Sequence, residues 1–146
     1  MSGYKKILFP TDLSEGATKI AEHVKRMAEK FDAEIDILYV SNVGHYYSSI
    51  NLPAGGLTNF EQEVMIAAEG QIDDFAEEQF KDMHYQTEII AGNPADEIIE
   101  YAKKNGCDLI IMGHSRAGLE RVLLGSVAHR IVKLSPVPVM IVRVEH

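Results

Sequence analysis

Leu109-Ile110-Ile111-Met112-Gly113-His114-Ser115-Arg116-Ala117-Gly118 is the stretch on which the fold turns. Its first four residues are apolar without a break. A run that short reads as a strand buried on both faces, the pattern of a parallel sheet covered by helices. A glycine-bearing segment, Gly113 to Leu124, follows it, and then a short helix from about Ser126 to Leu134.

The chain on either side repeats the same alternation. Ile7 to Phe9 is a compact apolar strand. Ala17, Ile20, Ala21, Val24, Met27, Ala28 and Phe31 then recur at three- and four-residue steps, which places them on one helix face. Ile35 to Val40 reads as a strand and Asn42 to Leu57 as a long loop. Thr58 and Glu61 have capping-box spacing and open a helix that runs to about Phe80. Tyr85, Thr87 and Ile89 alternate with Gln86 and Glu88, as in a half-exposed strand. Asn93-Pro94 supplies an N-cap with proline at the first helical position, and Ile98, Ile99 and Ala102 form the buried face of that helix. Val137 to Val144 closes the chain as a fifth strand.

The order β-α-β-α-β-α-β-α-β predicts an α/β fold, a doubly wound five-stranded parallel sheet with helices on both faces. Strands one, two, four and five are nearly all apolar, as doubly buried strands should be. Winding in the order 3-2-1-4-5 puts the last strand at an edge, where a long apolar strand needs cover or pairing; self-association through residues 137–144 is expected. Such sheets hold ligands beyond the carboxyl ends of their strands, where the winding reverses. The residues to inspect therefore follow the strands: Pro10-Thr11-Asp12, Ser41-Asn42, Gly92-Asn93, and Gly113 onward.

Composition narrows the function. The 146 residues carry 14 Lys and Arg against 22 Asp and Glu, a formal net charge of −8. A surface that acidic repels nucleic acid and anionic membranes. From Gly113 to Arg143, however, Arg116, Arg121, Arg130, Lys133 and Arg143 face one acid, Glu120. That local balance of +4 leaves −12 for the rest, and it marks where a small anion would bind. The single cysteine, Cys107, forbids an intrachain disulfide, reads as core, and fits a reducing compartment. No apolar run approaches the roughly 18 residues of a membrane span, and the opening apolar stretch is too short for a signal peptide. A cytoplasmic protein is expected.

Motifs exclude more than they assign. Gly113 to Gly118 has P-loop spacing, but Leu119 and Glu120 stand where Lys and Ser or Thr are required. Gly113-His114-Ser115-Arg116-Ala117 mimics a hydrolase nucleophile elbow, yet it ends in alanine, and the acid that follows, Glu120, lies five residues on rather than on a later strand-end loop. The six histidines show no zinc spacing. Backbone chemistry fits better: the Gly113 loop and the Gly125-Ser126-Val127 helix start can offer N–H groups to a phosphate, or serve only as turn and helix end. Asp12 can accept from an adenine amino group or a ribose hydroxyl, or cap the first helix with Glu15. The acidic residues from Glu61 to Glu78 read as a solvated helix face.

Taken together, Ile7-Leu8-Phe9-Pro10-Thr11-Asp12, Val40, Gly92-Asn93-Pro94, Ile111-Met112-Gly113, Leu123-Leu124-Gly125-Ser126-Val127 and Pro136-Val137-Pro138-Val139 resemble the universal stress protein family, over the whole length 1–146. The resemblance implies one Rossmann-like domain of the adenine nucleotide alpha hydrolase-like kind and commonly a homodimer through the last strand. In one branch of the family it also implies ATP binding without robust catalysis. That branch looks like G-x2-G-x9-G-[ST]. Gly113, Gly125 and Ser126 match its first glycine and terminal pair, and Asp12 and Val40 match positions that hold the adenosine part. Arg116 replaces the second glycine, and the loop is one residue shorter. Arg116 either contacts a phosphate or, by its bulk, excludes the triphosphate.

The expected ligand is ATP or AMP, with or without Mg2+. The expected site is Pro10, Thr11, Asp12, Val40, Gly92, Met112, Gly113, His114, Arg116, Gly118, Gly125, Ser126 and Val127. No catalytic residue is assigned; slow ATP hydrolysis would have only Asp12 or His114 as general base. The alternative is a nucleotide-free dimerisation module working through protein contacts.

Overall fold

The computed structural model describes residues 3–14, 16–41, 54–114 and 124–144, with side chains from residue 62 onward in the second helix. Among the described residues five strands and four helices alternate: β1 (Lys6–Pro10), α1 (Ala17–Phe31), β2 (Glu34–Ser41), α2 (Ala54–Phe80), β3 (Tyr85–Ala91), α3 (Pro94–Asn105), β4 (Leu109–Gly113), α4 (Ser126–Leu134) and β5 (Val139–Val142). The sheet is parallel throughout, in the order β3-β2-β1-β4-β5, as the alternation predicts.

The period of two along each strand sorts the core into two layers. Ile7 and Phe9 of β1, Ile35 and Ile37 of β2, and Leu109 and Ile111 of β4 face α1 and α2, meeting Val24, Ile72 and Phe80. Leu8, Leu38, Ile110 and Met112 point the other way, onto Ile98, Ala102 and Ile131 of α3 and α4. Phe9 stacks edge-on against Phe80, with ring centroids 6.2 Å apart. The acidic residues of α2 from Glu63 to Glu78 are exposed, as the charge run predicts.

Four expectations need correction. The second helix begins at Ala54, so residues 54–57 are helix, not loop, and Thr58 does not open it. Gly55 and Gly56 are poor helix formers and disguised that first turn; residues 42–53 lie outside the described residues. The last strand is Val139–Val142, shorter than residues 137–144, because Ser135 and Val137 form a side-chain-locked turn just before it. That strand is not doubly buried either: only Val142 is enclosed, since β5 is an edge. Finally, α1 starts at Ala17 with Gly16 at its N-cap position, so Asp12 does not cap it.

One polar network sits inside the core. Asp36 of β2 is 1% exposed, and its carboxylate accepts from the Tyr101 hydroxyl (2.8 Å) and from Gln86 Nε2 (3.1 Å). A buried carboxylate is tolerable only when its oxygens are bonded. Burial, with the Asp36 charge second, pushes the Cys107 thiol up to about 12; burial, then the hydrogen bond to Asp36 and its charge, raises the Tyr101 hydroxyl.

Tyr101→Phe removes one of the two donors and should cost about 1–3 kcal/mol in urea unfolding. Cys107 sets a pH dependence. Below about pH 8.5 the thiol is protonated in both folded and unfolded chains, so stability is unaffected. Above it the unfolded chain loses the proton first, and stability falls until the folded thiol titrates near 12. Cys107→Ala should flatten the loss of stability between about pH 8.5 and 10, measured by urea unfolding at each pH.

Candidate functional site

The chain leaves β1 toward β2 and leaves β4 toward β5, so the connections diverge at the carboxyl ends of these neighbouring strands. The crevice this opens is a cavity of about 540 Å3. That volume lies within the roughly 300–1,000 Å3 of small-molecule sites. Val40, Ile98, Met112 and Ala128 give it an apolar floor; Thr11, Asp12, Asn93, Ser126 and Arg130 give it a polar rim.

Of the expected site residues, Pro10, Thr11, Asp12, Val40, Met112, Gly113, His114, Gly125, Ser126 and Val127 all line this cavity. Arg116 and Gly118 lie outside the described residues. Gly92 does not line it. Its amide donates to the Ser41 carbonyl (2.8 Å), and its φ is +155°, a conformation that favours glycine. An added Cβ would also stand 2.8 Å from Glu97 Cγ. Gly92 turns the chain from β3 into α3.

The loop after β1 is set by short hydrogen bonds. The Thr11 amide continues the sheet by donating to the Leu38 carbonyl (2.9 Å). Thr11 Oγ1 accepts from the Leu13 amide (3.0 Å) and Asp12 Oδ1 from the Ser14 amide (2.9 Å), which holds Leu13 at φ +59°. A left-handed leucine costs roughly 1–2 kcal/mol, and its side chain packs against the α1–α2 core layer. Asp12 therefore serves a turn at the cavity mouth, where its exposed carboxylate faces the open space.

Among the described residues three helices begin at the cavity. At α1, Gly16 holds the N-cap position without a side-chain cap, and the Ala17 and Lys19 amides donate to the Ser14 and Gly16 carbonyls. The starts of α3 and α4 differ from each other. At α3 the Asn93 side chain accepts from the Asp96 amide (3.1 Å), with proline at the first position, so this end is satisfied internally. At α4 the N-cap position is Gly125, and no side chain caps the end. The first helical amides there face the cavity with the Ser126 side chain, and the helix dipole adds partial positive charge. The Gly125 amide itself is anchored to the His114 carbonyl (2.7 Å). His114 is buried, and its Nδ1 stands 3.5 Å from the Val144 amide, the outer limit of a hydrogen bond.

Several lining residues lie outside the expected site: Asn93, Ile98, Arg130, Gly16 and Val144. Asn93 follows a strand end and also reads as a cap, and Arg130 reads only as part of a local positive charge. Gly16 and Val144 come together only in the fold, where a Cβ on Gly16 would stand 3.1 Å from Val144 Cγ1. Among the described residues no group of carboxylates, histidines or cysteine is arranged to hold a metal ion. Nor is any helix there long and apolar enough to cross a membrane.

The 3-2-1-4-5 parallel sheet, with a small-molecule-sized crevice at its switch point floored by apolar strand ends, defines a doubly wound α/β fold with a candidate site. The chain belongs to the universal stress protein family: the family's sequence model matches residues 3–143. Universal stress protein MJ0531 of Methanocaldococcus jannaschii is 41% identical over 146 residues, covering 96% of this chain and 82% of that protein. The solved structure of MJ0577, from the same organism, superposes with a TM-score of 0.85 at 29% identity over 99% of both chains. Two more distant structures share the fold. A universal stress protein in complex with cAMP has a TM-score of 0.63 at 21% identity and covers 97% of this chain and 98% of its own. One from Archaeoglobus fulgidus in complex with dAMP has a TM-score of 0.59 at 14% identity and covers 96% and 98%.

Removing the α3 cap tests the difference between the two helix starts. Asn93→Ala should lower stability by about 1 kcal/mol in urea unfolding. Ser126→Ala, at a helix start where no side chain caps, should change it by less than about 0.5 kcal/mol.

Proposed function

We propose that this protein is an adenine-nucleotide-binding module of the stress response or of signalling, and that the cavity between the ends of β1 and β4 is its nucleotide site. The observation that carries this reading is the uncapped start of α4. Its amides open into a crevice that the rest of the fold has walled with apolar strand ends. A phosphate satisfies those amides and meets the helix dipole. Asp12 and Val40 line the same cavity, where a carboxylate can accept from a ribose or adenine N–H or O–H group and an apolar side chain can cover the base. The nucleotide complexes of two structural neighbours are of the same ligand chemistry.

ATP or AMP is the ligand. Mg2+, where present, enters with the phosphates, because no cluster among the described residues holds it independently. No catalytic residue is assigned, and ATP hydrolysis is at most slow. The protein works in the cytoplasm, where its one buried cysteine stays reduced.

A second reading concerns β5. Val139, Met140 and Ile141 are only half-buried on a free sheet edge, and we place a homodimer contact there. A nucleotide-free dimerisation module is the function left if that contact forms and no nucleotide binds.

Titration calorimetry with ATP, ADP and AMP, with and without Mg2+, tests the first reading. Saturable heat is expected, weakened about 10-fold or more by Asp12→Ala. No heat at millimolar nucleotide would overturn it. For the second, light scattering at micromolar concentration should give a dimer mass, and a monomer would refute the contact.

A further inference from the structure

Arg130 lines the nucleotide cavity, yet its guanidinium is held at the rim by an acid outside it. It lies four residues after Ser126 on α4, so both side chains share one helix face. The guanidinium thus stands one turn beyond the open amides that would take the first phosphate.

Its present partner is Asp96, in the first turn of α3. Arg130 Nε donates to Asp96 Oδ1 at 3.1 Å, and Nη2 reaches the same oxygen at 3.0 Å. Both contacts fall on one oxygen, so the guanidinium does not make the paired, two-oxygen contact that its planar fork allows. The side chains are 53% and 55% exposed. An ion pair that open contributes little and is readily exchanged. A phosphate offers several oxygens to the same fork with more charge than a carboxylate. The Asp96 side chain would then be left in solvent, with its amide still bonded to Asn93.

We propose that Arg130 reads the length of the phosphate chain: it releases Asp96 and takes the outer phosphates of a nucleoside di- or triphosphate, while a monophosphate reaches only the α4 amides. The inference rests on the nucleotide reading above and assigns the specificity of that same site. It also gives the Arg130–Asp96 pair a function in the unliganded protein, since the pair keeps a cation parked at the cavity rim.

The test is a calorimetric series with AMP, ADP and ATP on the wild type, R130Q and D96N. R130Q should weaken ATP about 10-fold or more and leave AMP within about 2-fold, the discrimination of a lost charge-assisted contact. D96N should bind ATP at least as tightly as the wild type, because the guanidinium no longer leaves a partner. The melting temperature of unliganded R130Q should stay close to wild type, as an exposed pair requires. Equal losses for AMP and ATP in R130Q, no loss for either, or weaker ATP binding by D96N would each overturn the proposal while the nucleotide reading stands. A wild type that binds no nucleotide overturns both.

Discussion

The structure depends on β1 being enclosed on every side. It pairs in parallel with β2 along one edge and with β4 along the other, and Ile7, Leu8 and Phe9 are fully buried. Such a strand must be apolar on both faces, so helices must cover both faces of the sheet. Chain continuity then sends the first two crossovers, α1 and α2, over one face, and α3 and α4 over the other. Where the two windings part company, no described residue fills the space beyond the strand ends, and the cavity follows from that.

The same constraint divides labour at the cavity. Its floor is made of strand and helix residues that continue the core, so it is rigid and apolar. Its polar groups come from connections: the Thr11–Asp12 turn, the Asn93 cap and the α4 start. The turn holds a left-handed Leu13 by bonding both flanking side chains to nearby amides. Cost at that backbone position is offset by core packing of the leucine, and the result aims Asp12 at the opening. Asn93 caps α3, whereas α4 starts at Gly125 with no side-chain cap, which leaves its first N–H groups to the crevice.

Local rules made much of this legible. Period-two strands, the 3.6-residue stripe of α1, and Asn93-Pro94 each depend on neighbours in sequence, and each was readable. Ten of the thirteen expected site residues line the cavity, most of them because the switch-point rule needs only strand ends, and Val40 because of the family resemblance. What failed depends on distant partners or on backbone angles. The Asp12–Glu15 spacing suggests a helix cap, but the turn that Leu13 adopts moves the helix start to Ala17. Asp36 looks like a misplaced charge until Tyr101 arrives from α3, 65 residues on. Arg130 joins the cavity only because α3 and α4 pack side by side and Asp96 meets it. Gly92 follows a strand end, as a ligand residue would, yet its positive φ and the Ser41 contact make it a turn residue.

Amide chemical shifts recorded while AMP is added to the labelled protein test the central claim most directly, because they locate a ligand as well as detect it. The largest changes should fall on Thr11, Val40, Ser126 and Val127, which line one cavity from three separate segments of the chain. Unchanged amides, or changes centred on the depression lined by Gln86, Glu97 and Lys104 on the other side of α3, would contradict it.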